Sequence, residues 1–202
     1  MNRQMIYPTR QYKFYNKPVN LDIVPRCTLL CPKCQRQKDW YKKLPKGLFE
    51  EISVSDYQKI LDCFSYVEWC GQSGDPILHS KFFTLLEMSK DHRLDIHTAA
   101  SHKPKEWWKK SFETKRDAKW IFGIDGLPKE SSIYRINQDG EYLFEIMKMG
   151  VEMGMNIWWQ MILFKYNQDS LEEVMSICEE NNINFKLIKS NRFTKNDALR
   201  PI

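Results

Sequence analysis

The chain of 202 residues is long enough for one domain with a substantial core. Its composition, 42% hydrophobic and 28% charged, excludes a disordered or fibrous chain. No apolar run approaches the ~20 residues that cross a bilayer and the start lacks the apolar stretch of a secretory signal, so a cytoplasmic protein without a membrane partner is expected.

The predicted domain plan is an N-terminal extension at 1–18, a core at 19–190 and a tail at 191–202. Residues 19–24 alternate apolar and polar side chains and stop at Pro25, as a strand feeding a loop does. Ser55 is a candidate cap for a helix whose Tyr57, Ile60, Leu61 and Phe64 share one face. A strand at 66–70 follows, then a Gly/Pro loop, then a helix at 80–91 burying Phe82, Phe83, Leu85 and Leu86. Residues 94–98 read as a strand, and Pro104 suits the first turn of a helix carrying Trp107 and Trp108. Strands at 120–124, 157–164 and 183–188 alternate with helices at 142–153 and 171–181, with Asn167, Gln168 and Asp169 as the loop and cap before the last helix. Such alternation implies parallel strands joined by helical crossovers. Six strands make a partial (β/α)6 TIM-like barrel, and in a parallel barrel the chemistry collects at the carboxyl ends of the strands.

The loop after the first strand holds Cys27, Cys31 and Cys34, spaced C-x3-C-x2-C. Three thiolates can hold three corners of a four-iron four-sulfur (4Fe-4S) cluster and leave the fourth iron open to another ligand. A structural zinc site would need a fourth ligand, and with no second C-x2-C or H-x3-H pair that would be Cys63, Cys70, His79 or His97. After the second strand come Gly71, Gln72, Ser73, Gly74 and Asp75 before Pro76; glycines there let backbone approach a ligand, or simply make a turn. Thr98 and Ser101 are the polar groups after the third strand, beside a His97 that is either a ligand or a satisfied structural histidine. Asp125, between Gly123 and Gly126, offers a charged acceptor or orders its own turn. Arg135 is an anion fork or a surface salt bridge, and Gln160 points into the barrel or is a satisfied core amide. Cys70 is a thiol near the substrate or a small buried hydrophobe; Cys63 and Cys178 read as packing.

Taken in order, these strand-end segments resemble the radical S-adenosylmethionine (radical SAM) superfamily over residues 17–190. The resemblance implies that Cys27, Cys31 and Cys34 ligate a 4Fe-4S cluster and that the open iron is chelated by S-adenosylmethionine. Reductive cleavage would then yield methionine and a 5′-deoxyadenosyl radical that takes hydrogen from a substrate. It further implies that Gly71, Gln72, Ser73, Gly74 and Asp75 bind the methionine amino group, with Asp75 where relatives usually carry Glu. Thr98 and Ser101 would border the cofactor, Asp125 would take ribose hydroxyls and Gln160 would face adenine. An external flavodoxin- or ferredoxin-like electron donor is implied too. Lys33 stands where the family usually has an aromatic residue, which puts adenine contacts from this loop in question. No catalytic residue beyond the cluster ligands is assigned.

The substrate has no signature in the sequence. With little material to cap the open barrel, a large substrate, a peptide or an RNA, is weighed above a small molecule. In the RNA case two surfaces where lysines interleave with aromatics would make contact: Lys42, Lys43 and Lys46 beside Trp40, and Lys103, Lys105, Lys109 and Lys110 around Trp107 and Trp108. The alternative function is a zinc-stabilised nucleic-acid-binding module without catalytic activity.

Overall fold

Alternation along the strands sorts the chain into two unlike surfaces. In the computed structural model, which describes residues 17–45 and 50–202, six strands form one parallel sheet in the order β1 (Val19–Leu21), β2 (Tyr66–Trp69), β3 (Arg93–Thr98), β4 (Lys119–Gly123), β5 (Asn156–Ile162) and β6 (Asn184–Ile188). Every strand pairs with its neighbour in sequence, and the sheet does not close: β1 and β6 are edges, as in a partial TIM-like barrel. Val67, Trp69, Leu94, Ile96, Trp120, Phe122, Trp159 and Met161 are fully buried. They pack with Tyr57 and Leu61 of α2 (Val54–Cys63), Leu85 and Leu86 of α3 (Phe82–Met88), Trp108 and Phe112 of α4 (Lys105–Thr114), Leu143 and Ile146 of α5 (Gly140–Glu152), and Val174 and Cys178 of α6 (Leu171–Glu180). The intervening positions Glu68, His97, Ile121 and Gln160 line a cavity instead. Burial of the helix-side residues, at about 25 cal/mol per Å² of apolar surface, is the main stabilising term.

Several expected boundaries shift, each for a local reason. The first strand ends at Leu21 rather than at residue 24, because Asp22 turns its carboxylate onto the backbone N–H groups of Gln72 (2.9 Å) and Ser73 (3.0 Å). The α2 cap is Ser53, whose Oγ accepts from Asp56 N at 3.0 Å; Ser55 lies inside the helix. Pro104 is the residue before α4 rather than its first turn. Asn167 is buried and closes a turn, accepting from Phe164 N (2.7 Å) and donating to Ile162 O (3.0 Å), and α6 starts after Ser170. A short helix α1 (Asp39–Lys42) follows the cysteine loop and has no counterpart in the sequence reading. Lys46 and residues 1–16 of the expected extension lie outside the described residues. Among the described residues no helix is long and apolar enough to cross a membrane.

Candidate functional site

A cavity of about 540 Å³ opens at the carboxyl ends of the strands, within the range of small-molecule sites. Cys27, Cys31 and Cys34 line it together with Gly71, Gln72, Gly74, Asp75, Thr98 and Gln160. Ser73, Ser101 and Asp125 are not on its wall.

The cysteine loop is held by both backbone and side-chain hydrogen bonds. At its base Asp75 N donates to Arg26 O (2.7 Å), and Arg26 pairs with Glu51 and donates to Leu78 O (3.1 Å). Gly74 makes this approach possible: a Cβ there would lie 1.8 Å from Val24 O and 2.8 Å from Arg26 O. The contact between the two loops therefore requires a residue without a side chain at this position. Within the loop Arg36 donates to Leu29 O (2.7 Å) and Cys27 O (3.4 Å), and Leu29 N donates to Cys27 Sγ (3.4 Å). Burial, reinforced by the nearby Asp75 carboxylate, pushes the Cys27 thiol up to about 12. Burial also raises Cys31, with the Arg135 guanidinium opposing it. Cys27 and Cys31 thus favour the thiol form in the free protein, and a metal that takes thiolates would displace their protons as it binds.

The remaining predicted residues divide by what their side chains already do. The Asp75 carboxylate, 3% exposed, accepts from Thr98 Oγ1 (2.8 Å), Ala99 N (2.9 Å) and Ala100 N (2.9 Å). It and Thr98 thereby tie the Gly-rich loop to the turn after β3. Ser73 Oγ accepts from Gln35 Nε2 (2.9 Å), joining that loop to the cysteine loop, and Ser101 Oγ accepts from Asp139 N (2.8 Å) at the start of α5. Asp125 is 0% exposed, ion-paired to Arg135 (2.8 Å) and accepting from Ile162 N (2.7 Å). Its carboxylate is enclosed rather than offered to a ribose; the guanidinium of Arg135 is what reaches the cavity. That guanidinium lies over Gly123, where a Cβ would come within 2.7 Å of it. Gln160 lines the cavity, and its side chain makes no hydrogen bond among the described residues. Cys70 also faces the cavity, 3.8 Å from Asp22, and burial pushes its thiol up to about 12.

Several neighbours of the site take their roles from contacts that only the fold makes. Gln138 stitches the ends of β3 and β4, donating to Ala99 O (2.6 Å) and Gly123 O (2.8 Å). Tyr134 packs on Phe164 with ring centroids 4.2 Å apart, and both line the cavity. Lys33 is ion-paired to Asp197, Arg192 donates to Lys33 O (3.4 Å), and Phe193 packs edge-on against Phe164, so the tail lies against the cysteine loop. Of the two lysine and aromatic surfaces, one turns inward. Trp108 is fully buried and so cannot stack on a base; Trp107, half-buried, packs on Phe82 (4.7 Å) and Phe83 (5.4 Å), and Trp40 is exposed.

Among the described residues no three His, Cys, Asp or Glu side chains gather closely enough to hold a single metal ion. A zinc ion draws thiolates to about 2.3 Å from one centre, whereas thiolates on separate irons of a cluster need not converge. Three free thiols of one loop, all lining one cavity, suit the second arrangement in donor type.

No protein-family model and no curated protein matches the sequence. Solved structures do. SuiB of Streptococcus suis superposes with a TM-score of 0.71 at 18% identity over 92% of this chain and 42% of SuiB. Its complex with S-adenosylmethionine gives 0.69 over 92% and 44%. Native anSMEcpe with bound AdoMet gives 0.64 at 13% identity over 84% of this chain and 50% of that one. Both were solved with S-adenosylmethionine bound, the cofactor that the motif order implies. This chain spans about half their length or less, and at such identities the likeness establishes the fold.

Proposed function

We propose that the protein is a radical SAM enzyme. The observation that carries this reading is the convergence of the Cys27, Cys31 and Cys34 thiols and the Gly71 to Asp75 loop on one cavity at the carboxyl ends of the strands, in a fold shared with two proteins whose solved structures contain S-adenosylmethionine. When bound, a 4Fe-4S cluster with one open iron supplies the electron that splits S-adenosylmethionine into methionine and a 5′-deoxyadenosyl radical. The protein's part is ligation, orientation and exclusion of water.

In this reading the three cysteines hold three irons. Gly71, Gln72 and Gly74 bring backbone to the methionine end, with Ser73, Asp75, Thr98 and Asp22 fixing the loop's shape rather than donating to the ligand. Arg135, backed by Asp125, offers a charged fork to an anionic group such as the methionine carboxylate. Gln160 and the Tyr134–Phe164 pair make a polar and an aromatic edge for adenine, the role that Lys33 gives up by pairing with the tail. Ser101 acts at a distance, through Asp139 and the start of α5. An external electron donor completes the scheme. No observation favours the zinc-stabilised module.

Anaerobic reconstitution tests the reading. The protein should take up about four irons and, with dithionite, release 5′-deoxyadenosine from S-adenosylmethionine. Changing Cys27, Cys31 or Cys34 to Ala should each remove most of the iron, while Cys63→Ala and Cys178→Ala should not. Equal losses at all five positions would sink it.

A further inference from the structure

Of the cations on the cavity wall, two on one side are held by neither an ion pair nor a short hydrogen bond among the described residues. Asp75 is consumed by Thr98, Ala99 and Ala100; Arg135 meets Asp125 and Lys33 meets Asp197. Arg36 is spent on the carbonyls of its own loop. Lys189 has no ion pair or hydrogen bond among the described residues, and Arg192 makes one long bond, 3.4 Å to Lys33 O. Both follow β6, the edge strand with no neighbour on its outer side. The sequence there is one-sided: residues 181–196 carry Lys186, Lys189, Arg192 and Lys195, at every third position, and no acidic residue. One cation balances a carboxylate; the two on the wall, Lys189 and Arg192, suit the higher charge of phosphate, which the Arg fork also matches in shape.

The opposite wall carries a different group. Glu68 on β2 hydrogen-bonds His97 Nε2 on β3, and both side chains are partly open to the cavity, at 20% and 16% exposure. The contrast with His79 is instructive. His79 Nε2 meets Ile52 O (3.0 Å) and its Nδ1 accepts from Lys81 N (3.0 Å), so both ring nitrogens serve the fold. His97 has Nε2 alone engaged, and its Nδ1 has no partner among the described residues. An ionised Glu68 can only accept, so in the neutral imidazole it keeps the proton on Nε2 and leaves Nδ1 as an acceptor toward the cavity. The hydrogen bond from His97, with Lys186 and Lys119 adding their field against burial, holds Glu68 below the usual carboxylate range.

We infer that the substrate is a phosphate ester carrying a hydroxyl, the phosphate held by Lys189 and Arg192 and the hydroxyl donating to His97 Nδ1, with Glu68 as the positioning residue. This rests on the radical SAM reading above, with the substrate meeting the walls of the cavity that the cluster and S-adenosylmethionine are not assigned, and it narrows the substrate's class. A sugar phosphate and a ribose unit of an RNA strand both carry this pair of groups.

Calorimetric titration of the reconstituted full-length protein at low salt separates the possibilities. The probes are ribose 5-phosphate, ribose, inorganic phosphate, a short RNA and the DNA of the same sequence. Either ribose 5-phosphate or the RNA should bind about tenfold or more tightly than ribose and inorganic phosphate, and binding should weaken steeply with salt. His97→Gln and the Lys189→Ala/Arg192→Ala double variant should each weaken it about tenfold, the double variant at unchanged melting temperature. The His97 ring proton resonances, identified by their loss in His97→Gln, should shift on adding the bound probe. RNA preferred over both DNA and ribose 5-phosphate assigns a strand; ribose 5-phosphate alone assigns a metabolite. The inference is overturned if inorganic phosphate or ribose binds as well as either ester, if RNA and DNA bind alike with no affinity for ribose 5-phosphate, or if both variants bind like the parent. Iron content and 5′-deoxyadenosine release report separately on the cluster reading, so the two can fail independently.

Discussion

Asp75→Ala puts the interior role of this carboxylate to a quantitative test. The side chain is 3% exposed and joins the loop after β2 to the turn after β3 through Thr98 Oγ1, Ala99 N and Ala100 N, all within 2.9 Å. Alanine leaves the Thr98 hydroxyl and three amide donors, of Ala99, Ala100 and Ile77, with no acceptor. Each unpaired buried donor costs ~1–3 kcal/mol, and water entering the vacated space recovers part of it, so a net loss of ~3 kcal/mol is expected. For a chain of this size 1 kcal/mol moves the melting temperature by about 2–4 °C, which puts the fall at about 6–12 °C. Asp75→Asn keeps one acceptor oxygen but turns an NH2 group toward a donor, and should fall between parent and alanine variant. Thermal unfolding by circular dichroism, with and without reconstituted iron, reads the stability; equilibrium dialysis reads S-adenosylmethionine binding. A melting temperature within about 1 °C of the parent together with much weakened S-adenosylmethionine binding would refute the reasoning, because the carboxylate would then be serving the ligand and not the loops.

Gly74→Ala places a methyl group inside the Val24 and Arg26 carbonyls, which are backbone and cannot swing aside, so the Gly-rich and cysteine loops must separate. The expected cost is ~3 kcal/mol with most iron uptake lost, checked by melting temperature and iron content; a stable, iron-loaded variant would show that the loops do not meet there. Glu68, held low by its hydrogen bond from His97, contributes stability that is present above the unfolded carboxylate value near ~4.3 and lost as pH falls through its lower folded value. The stability gap between parent and Glu68→Gln should therefore close in acid; urea midpoints from about pH 7 to pH 3 measure it, and a gap that stays constant would count against the pairing.

The fold was legible because two local signals agree along the chain. Period-two apolar runs such as Val67 and Trp69, or Trp120, Phe122 and Ile124, alternate with helical faces such as Tyr57 and Leu61, and parallel crossovers follow from that alternation. Strand ends were legible less well. Where β1 stops depends on Asp22 reaching Gln72 and Ser73, fifty and fifty-one residues away, and no window of local sequence contains that contact. The cavity-lining cysteines and glycines were legible from spacing, since they lie within two short loops whose position after a strand sets their placement.

What sequence could not supply is which polar groups the fold had already spent. Asp75, Thr98, Ser101 and Asp125 stand at the strand ends where ligand contacts belong, yet each is engaged by a partner 23 or more residues away: Asp75 with Thr98, Ser101 with Asp139, Asp125 with Ile162. Lys33 was visible as a departure, but not its partner Asp197, 164 residues on. Conversely Glu68 reads in sequence as one polar residue in a strand, and gains meaning when β3 brings His97 beside it. A polar side chain is free to act on a ligand only if no closer donor or acceptor claims it, and in a parallel sheet those claimants come from neighbouring strands a helix away in sequence. His79 and His97 make the point together: the same side chain is structural where both nitrogens are bonded and open to chemistry where one is not.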